Sequence, residues 1–297
     1  MKNTILSHTE TGNVTKTIMN KFIFIFVLGF FSLGALANPT LASKQQIGMF
    51  KNSKTCVVFE DGISFYNAFI KDAVQKYWKS TSYEFIDQRE FEKRRSDSKY
   101  SFLVLMDGVY DKDPGGVSYN YLSLVLGDAS NILTKMPEIC SIPISYSGDK
   151  DVDYEYVIPS IVKFMQIHER NLEKDKNRLL ISMKGLRFYN NSNDFSSKVL
   201  LLNKDKMAPN ADTPEKIRNV YSYYVKLLTT AEIKEEIVAN PANALLEFHV
   251  GPAENSGSGK CFEMIFDIEG KLYYYNYRKI TNENPDGFNL KDFSHLR

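Results

Sequence analysis

The sequence has few of the residues that build redox and metal centres. It holds three cysteines and four histidines among 297 residues. No cysteine pair has the C-x-x-C spacing of a zinc ribbon or a thioredoxin-type site, and no histidine pair has the H-E-x-x-H or H-x-H spacing of a zinc site. The sequence therefore predicts no metal ion and no cofactor.

Common catalytic and nucleotide-binding motifs are also missing. There is no G-x-G-x-x-G dinucleotide fingerprint and no G-x-S-x-G serine-hydrolase elbow. Ser258-Gly259-Lys260 comes closest to a phosphate loop, but Glu254 and Cys261 stand where that motif needs Gly and Ser or Thr. A β-type pattern follows in place of a helix, so we interpret 251–259 as a hairpin loop.

An excess of either charge is missing too. Lys and Arg number 37, Asp and Glu number 36, and the net charge is +1. This balance argues against a generally basic nucleic-acid binder, so we expect no nucleic-acid partner. The hydrophobic share of 43% and the charged share of 25% are those of a folded protein and exclude a disordered chain.

The clearest positive signal lies at the amino terminus. Residues 22–37 form an uncharged apolar run that follows Lys16 and Lys21 and ends in Ala35-Leu36-Ala37. A basic segment, a short apolar run and an A-x-A site are typical of a cleaved signal peptide, here residues 1–37. The alternative is a membrane anchor, but the run is shorter than the ~20 residues of a spanning helix.

This leader predicts a location outside the inner membrane. Residues 1–18 are long for a leader, and Met19 is an alternative start. No cysteine follows the cleavage site, so we do not expect a lipoprotein. We expect the mature chain 38–297 to be periplasmic or secreted and to have no membrane span.

Alternation and helical spacing predict a first α/β unit over 54–150, after an N-terminal segment at 38–53. Ser64 is the predicted cap of an amphipathic helix at 64–78, and Asp87 is the predicted cap of a short charged helix that ends near Arg95. The predicted strands are 54–59, 83–86, 100–106 and 119–126, with a DKDPGG turn at 111–116.

A second unit over 193–297 has a similar order. Thr213 and Thr230 are the predicted caps of its helices, and Glu269-Gly270 is a predicted hairpin turn. Residues 151–192 form the connection, which begins with a long helix at 151–175 and leads into the loop NNSNDFSS. The predicted strands of this unit are 198–203, 224–228, 244–250, 261–267 and 271–277.

The predicted fold is therefore α/β, with two tandem βαβαβ-type units, mixed sheets, a C-terminal β-hairpin and a long bridging helix. The stretch YEFIDQREFEKRRSDSKYSFLVLMDG corresponds in element order to YVKLLTTAEIKEEIVANPANALLEFHVG. The match is one of order rather than identity. An internal duplication and two unrelated α/β stretches both remain open.

Candidate site residues lie at the ends of predicted strands. Glu247 and His249 are two residues apart on one face of the strand 244–250, which ends at a Gly-Pro loop. Sites in open α/β sheets form outside the carboxyl ends of strands. Glu60-Asp61 and Asp107 hold similar positions in the first unit. The alternatives are a site at these strand ends and ordinary surface polar residues.

Aromatic residues are the one compositional excess, with 18 Tyr and 20 Phe. Tyr273, Tyr275 and Tyr277 share one face of a predicted strand if alternation holds. They either pack the sheet against helices or form an exposed platform for a glycan, a peptide or a partner strand. The pair Tyr119 and Tyr121 has the same two interpretations.

The three cysteines allow one disulfide and one free thiol. Cys56 lies in the apolar strand pattern TCVVF and is expected to be a buried small side chain. Elimination leaves Cys140 and Cys261 as the disulfide candidates.

Two stretches carry a family resemblance. TSYEFIDQREFEKRRSD follows KTCVVF and a helix, and TAEIKEEIV lies in the second unit; both show a cap before a short charged helix. This order resembles small periplasmic α/β modules, of the type found in the amino-terminal domain of the translocation protein TolB and in the penicillin-binding-protein activator lipoproteins. The chain also resembles uncharacterised secreted proteins of Gram-negative bacteria. Neither resemblance implies catalytic residues, and the absent lipid-bearing cysteine departs from the activator lipoproteins.

These observations together predict an exported, non-enzymatic binding or scaffold protein of the bacterial envelope. Its partner would be an envelope protein, or a glycan or peptide ligand. One alternative is an exported hydrolase that uses an acid or histidine set near Glu247 and His249. Another is a small-ligand binder with a site at the strand ends between the two units.

Overall fold

The computed structural model describes residues 40–62, 64–109, 116–130, 132–147, 153–190, 194–252 and 258–296. Contacts group residues 39–297 into one unit. The predicted signal peptide lies outside the described residues, as do 111–115 of the predicted turn and 253–257 of the predicted hairpin loop. In the part of the chain that the structure describes, every helix is too short or too polar to cross a membrane.

The first half of the chain builds a five-stranded mixed sheet with the strand order β2-β1-β3-β4-β5. Strand β1 is parallel to β2 and β3, whereas the pairs β3–β4 and β4–β5 are antiparallel. In chain order the elements are α1 (Lys44–Lys51), β1 (Lys54–Val58), α2 (Phe65–Tyr77), β2 (Ser82–Ile86), α3 (Gln88–Arg94), β3 (Tyr100–Val109), β4 (Ser118–Leu126) and β5 (Glu138–Tyr146).

Four of these five strands lie where the sequence pattern predicts them. The pattern does not predict β5, which contains Pro143. A proline is tolerated there because β5 is the last strand of the sheet and need not donate a full ladder of hydrogen bonds.

Two helices follow, α4 (Ile158–Leu172) and α5 (Asp175–Lys184). The prediction of a single helix over 151–175 is therefore wrong at its start and misses α5. Pro159 lies in the first turn of α4, where its missing N–H costs nothing. Extended backbone at Lys174, with φ −83° and ψ 114°, separates the two helices.

The second half builds another five-stranded sheet, in which the order is β7-β6-β8-β9-β10. Strand β6 is parallel to β7 and β8, and the pairs β8–β9 and β9–β10 are antiparallel. Its elements are β6 (Val199–Asn203), α6 (Pro214–Arg218), β7 (Tyr224–Leu228), α7 (Thr230–Ala239), β8 (Ala244–Val250), β9 (Lys260–Asp267), β10 (Leu272–Lys279) and α8 (Leu290–Ser294).

The two sheets thus share one topology, in strand order and in strand direction. The predicted α/β fold of two units with mixed sheets is confirmed. The C-terminal hairpin of β9 and β10 is confirmed as well, and its turn contains Gly270 at φ +83°. A side chain at Gly270 would meet the backbone of Phe164 on α4, so glycine is required there for space as well as for conformation.

Capping side chains begin several helices where the sequence predicts them. Asp87 accepts a hydrogen bond from the Glu90 N–H at 2.7 Å, at the start of α3. Ser64, the predicted cap of α2, makes no capping hydrogen bond with its side chain. The cap of α7 is Thr229 rather than the predicted Thr230. Its hydroxyl accepts from the Glu232 N–H while the Glu232 carboxylate accepts from the Thr229 N–H, which is a capping box.

Helix α4 packs against both sheets and joins their cores. Its Phe164 ring meets Phe266 of β9 at 5.7 Å between ring centroids. Phe262 of β9 packs edge-on against Tyr119 of β4 at 5.2 Å, and the Tyr119 hydroxyl lies 2.7 Å from both backbone polar atoms of Lys260. One continuous cluster of buried side chains therefore spans the two units.

Candidate functional site

A cleft lies where strand ends from the two sheets come together. Its cavity has a volume of about 510 Å³. Carboxyl ends of β5, β6 and β8 border it, together with the start of the segment before α4 and a turn after β10. The lining residues are Ile144, Ser145, Tyr146, Asp153, Tyr154, Asp205, Lys206, Met207, Phe248, His249, Val250, Gly251, Pro252, Asp286 and Gly287.

His249 forms the buried wall of this cleft. Its side chain is 3% exposed, and Nδ1 lies 3.0 Å from Oε1 of Glu263 on the neighbouring strand β9. Nε2 lies 3.0 Å from Oδ1 of Asp286, although the two atoms are not aligned as a hydrogen bond. Burial lowers the pKa of His249, but the two carboxylates outweigh it and hold that pKa well above its usual value. The ring is therefore a cation near neutral pH.

Arg278 of β10 supports this arrangement from inside the protein. Its guanidinium donates to Oε1 of Glu263 at 3.2 Å. The same group donates to the carbonyls of Pro285 and Gly287 at 2.9 and 2.5 Å, on either side of Asp286. An ionic chain thus runs from Arg278 through Glu263 and His249 to Asp286 at the cleft.

Glu247 shares a face of β8 with His249, as predicted, but it does not line the cleft. Its side chain is fully buried, and Oε1 has no hydrogen-bond partner among the described residues. Burial, followed by the charge of Glu263, raises the pKa of Glu247 well above its usual value. The surroundings of this carboxyl therefore favour its neutral form, and it lies inside the sheet and away from the cavity.

Asp286 is the acidic end of the ionic chain. Its side chain is 41% exposed. Burial favours the neutral acid, but the charge of His249 and its contact with the carboxylate prevail and lower the pKa of Asp286. The carboxylate rests against the Cα of Gly251, where a β-carbon would lie 2.3 Å from Oδ2. The absence of a side chain at Gly251 therefore allows the Asp286 carboxylate to approach His249.

Replacing Gly251 with alanine is expected to separate Asp286 from His249, because the new methyl group occupies the carboxylate's place. His249 then loses one of its two carboxylates, and its pKa, measured by NMR titration, falls toward the usual value. Gly48→Ala is the matched control, since a β-carbon there meets nothing within 4 Å. An unchanged His249 titration in Gly251→Ala would contradict the expected separation.

The remaining charges of the cleft divide into a paired and an unpaired set. Lys206 Nζ lies 3.3 Å from Oδ2 of Asp153. Asp205 is exposed, and its carboxylate has no ion-pair partner among the described residues. The cleft therefore offers the unpaired carboxylate of Asp205 and the partly exposed carboxylate of Asp286, which is paired with His249.

A second cavity, of about 380 Å³, lies between α2, α4 and α7. Its charged residues already have partners, because Lys234 pairs with Glu155 and Asp72 pairs with Lys76 at 2.8 Å. Its other lining residues are Phe69, Tyr156, Pro159 and Ile237. This cavity has no uncompensated charge to select a ligand.

The tyrosine row of β10 does not form a single platform. A bulge between Leu272 and Tyr274 breaks the alternation, so Tyr273 packs with the cluster that includes Phe195, away from Tyr275. Tyr275 packs against the main core. Tyr277 is 39% exposed, and its ring lies beneath Arg187 and Lys260. The expectation that all three tyrosines share one face is wrong. Tyr119 and Tyr121 both pack against Phe262.

All three cysteines are buried and free. The disulfide candidates Cys140 and Cys261 are therefore not bonded to each other. Cys140 lies on β5 of the first sheet, whereas Cys261 lies on β9 of the second and its sulfur accepts a hydrogen bond from Arg278. Burial raises the pKa of the Cys56 thiol to about 11, so this side chain is a buried, protonated thiol as expected.

The acidic residues at the strand ends of the first unit form a looser group. Glu60 is half buried and accepts from Gln88 at 3.2 Å. Burial, then Asp61 and Asp107, raises its pKa. Ser147 donates to Asp107 at 2.9 Å. Among the described residues no three His, Cys, Asp or Glu side chains are placed to hold a metal ion.

Sequence reasoning identified His249 but missed Glu263, Arg278 and Asp286. A charged residue in the otherwise apolar strand KCFEMIFD was a usable signal for Glu263, because buried carboxylates need partners. Asp286 in the turn Pro285-Asp286-Gly287 has the composition of an ordinary turn, and only the fold brings it to His249.

Comparison of the chain with protein-family models, with curated proteins and with solved structures finds no match.

Proposed function

We propose that the protein is an exported, non-enzymatic binding protein of the bacterial envelope whose ligand occupies the cleft between the two sheets. One observation carries the proposal: the cavity of about 510 Å³ at the carboxyl ends of strands from both units, with His249 and Asp286 in its wall. Small-molecule sites commonly have this size, and α/β sheets place them at this edge. Export is inferred from the apolar leader in residues 1–37.

The state of the ionisable groups supports binding rather than turnover. A histidine held as a cation between two carboxylates is a poor general base near neutral pH. Burial favours the neutral form of Glu247, which lies outside the cleft. The three thiols are buried, which counts against a cysteine nucleophile. These features weigh against the hydrolase alternative.

A scaffold role through surface aromatics has less support. Tyr273 is buried, and Tyr275 is half buried against the core. Tyr277 has exposed area but carries two cations over its ring. An envelope protein that docks on this strand would find little free aromatic surface.

The test is a thermal-shift screen of the purified protein against small molecules of every charge class. Met207→Trp fills part of the cleft wall, and Met183→Trp makes the same exchange on the exposed face of α5. We expect at least one compound to stabilise the wild type and Met183→Trp but not Met207→Trp. At a hundredfold excess over Kd the stabilisation is about 2.7 kcal/mol.

Two results would contradict the proposed function. One is that no compound shifts the wild type. The other is that every stabilising compound acts equally on Met207→Trp, which would place its site elsewhere. Conversion of a stabilising compound into products during incubation would favour the hydrolase alternative.

A further inference from the structure

We infer that the cleft binds an organic cation, a small molecule that carries an ammonium or guanidinium group. This inference deepens the proposed function and rests on it. It follows from the charges of the cleft, from its aromatic and apolar walls, and from two polar atoms that lack a well-aligned hydrogen bond.

The cleft keeps a negative excess after its ion pairs are counted. Among the described lining residues, the three carboxylates of Asp153, Asp205 and Asp286 face the two cations of Lys206 and His249. Lys206 pairs with Asp153, and His249 lies between Asp286 and the buried Glu263. Asp205 is the lining carboxylate without an ion-pair partner among the described residues. A ligand that brings a positive charge would therefore be attracted, and an anion would be repelled.

Arg278 does not cancel this excess at the cleft. Its guanidinium is 13% exposed and lies on the inner side of Glu263, with Asp292 3.9 Å away. These two buried carboxylates are the nearest charges to it. The charge of Arg278 is therefore shared between Glu263 and Asp292. Its hydrogen bonds to two backbone carbonyls also hold the turn that contains Asp286.

The walls suit the apolar part of an organic cation. Tyr146, Tyr154 and Phe248 line the cavity together with Ile144 and Met207. Aromatic faces attract ammonium and guanidinium groups, and they also pack well against alkyl chains. A compact inorganic cation would leave these apolar walls uncovered, and the described residues offer no set of three metal ligands.

Two buried polar atoms at the wall lack a well-aligned hydrogen bond. They are Nε2 of His249 and Oδ1 of Asp286. Buried polar atoms without partners are rare in folded proteins, and here both belong to residues that line a cavity. The two atoms lie 3.0 Å from each other as an ion pair, and the Asp286 side chain is 41% exposed, so an N–H donor from a ligand would add a well-aligned hydrogen bond to this carboxylate.

The experiment compares probes of the same size and different charge. Thermal shifts are measured with pentane-1,5-diamine, pentane-1,5-diol and pentanedioate, and with the aromatic pair phenethylamine and phenethyl alcohol. Agmatine adds a guanidinium. We expect stabilisation by one or more of the cations only, and we expect it to weaken as ionic strength rises.

Three variants locate the charge that matters. Asp286→Asn and Asp205→Asn each remove one carboxylate of the cleft, and each is expected to raise the Kd of the bound cation at least tenfold. Asp175→Asn removes an exposed carboxylate of α5 that pairs with Lys44, and its Kd should match the wild type. If Asp286→Asn fails to fold, Asp205→Asn decides, because its carboxylate is exposed and unpaired among the described residues.

The outcomes separate this inference from the proposed function. If only the two alcohols or pentanedioate stabilise the protein, and Met207→Trp abolishes this effect, the ligand is not a cation but the cleft is still the binding site. Equal affinity in Asp286→Asn, Asp205→Asn and the wild type would overturn it as well. If no cation of the panel stabilises the protein at millimolar concentration, the inference fails, and the broader screen still decides the proposed function.

Discussion

Replacing Arg278 with methionine is expected to lower the free energy of unfolding by about 3–5 kcal/mol, because it removes one of the two cations beside the buried carboxylate of Glu263. Glu263 is fully buried and keeps only His249 as a counter-charge in this variant. The carbonyls of Pro285 and Gly287 also lose their donor. For a chain of this size the unfolding temperature should fall by roughly 10 °C, as measured by denaturant and thermal unfolding.

Two comparisons make the Arg278 prediction specific. Arg89→Met removes an arginine that is 81% exposed and should change stability by less than about 0.5 kcal/mol. Glu263→Gln in the Arg278→Met background removes the stranded charge and should recover part of the loss, as a double-mutant cycle would show. A cycle with no coupling between the two positions would contradict the ionic chain.

The second large effect concerns acid stability and lies in α4. Lowering the pH from 6.5 to 4 is expected to cost about 3 kcal/mol of stability through His168 alone. Burial lowers the pKa of this histidine to about 4 from its usual 6.5. The unfolded chain therefore takes up a proton in this range that the folded protein refuses, so stability falls as the pH falls. Nδ1 of His168 contacts the Tyr189 hydroxyl at 2.8 Å in this packed site.

His168→Leu is the variant that tests this effect. Whatever its stability at neutral pH, the loss of stability between pH 6.5 and 4 should be about 3 kcal/mol smaller than in the wild type. Leu179→Ala, which changes an exposed position of α5 without a titratable group, should keep the wild-type slope. Parallel pH profiles for the wild type and His168→Leu would refute the assignment. His249 has the opposite sign: its raised pKa gives stability that is present below pH 6.5 and is lost as the pH rises through the raised value.

The pattern of the sequence predicted most elements of the fold because each depends on local chemistry. Strand β8, at Ala244–Val250, follows from a run of apolar and β-compatible residues, and its bounds agree with the prediction. The cap at Asp87 follows from a side chain that bonds to its own helix start. Strand β5 and the later start of α4 depart from the prediction. Pro143 is tolerated only because β5 lies at the edge of its sheet, and Pro159 fits only because it lies in the first turn of α4.

The candidate site shows the limit of local reasoning. Period-two alternation correctly placed Glu247 and His249 on one face of a strand, but it could not tell which of them reaches the cleft. The same rule failed at Tyr273, because the bulge in β10 inserts a residue that no composition signal marks. The disulfide candidates Cys140 and Cys261 are free because they lie on β5 and β9, strands of different sheets, and counting cysteines cannot show this.

The sequence by itself determined the α/β class, the two-unit order and the hairpin, since hydrophobic period, caps and turn residues act within a few positions of one another. Only the tertiary structure decided that both sheets share one strand order and that their ends enclose a cleft. It also brought Glu263, His249 and Asp286 together from β9, β8 and a distant turn. Ionic contacts between residues far apart in the chain depend on strand pairing and burial, and neither leaves a periodic trace in the sequence.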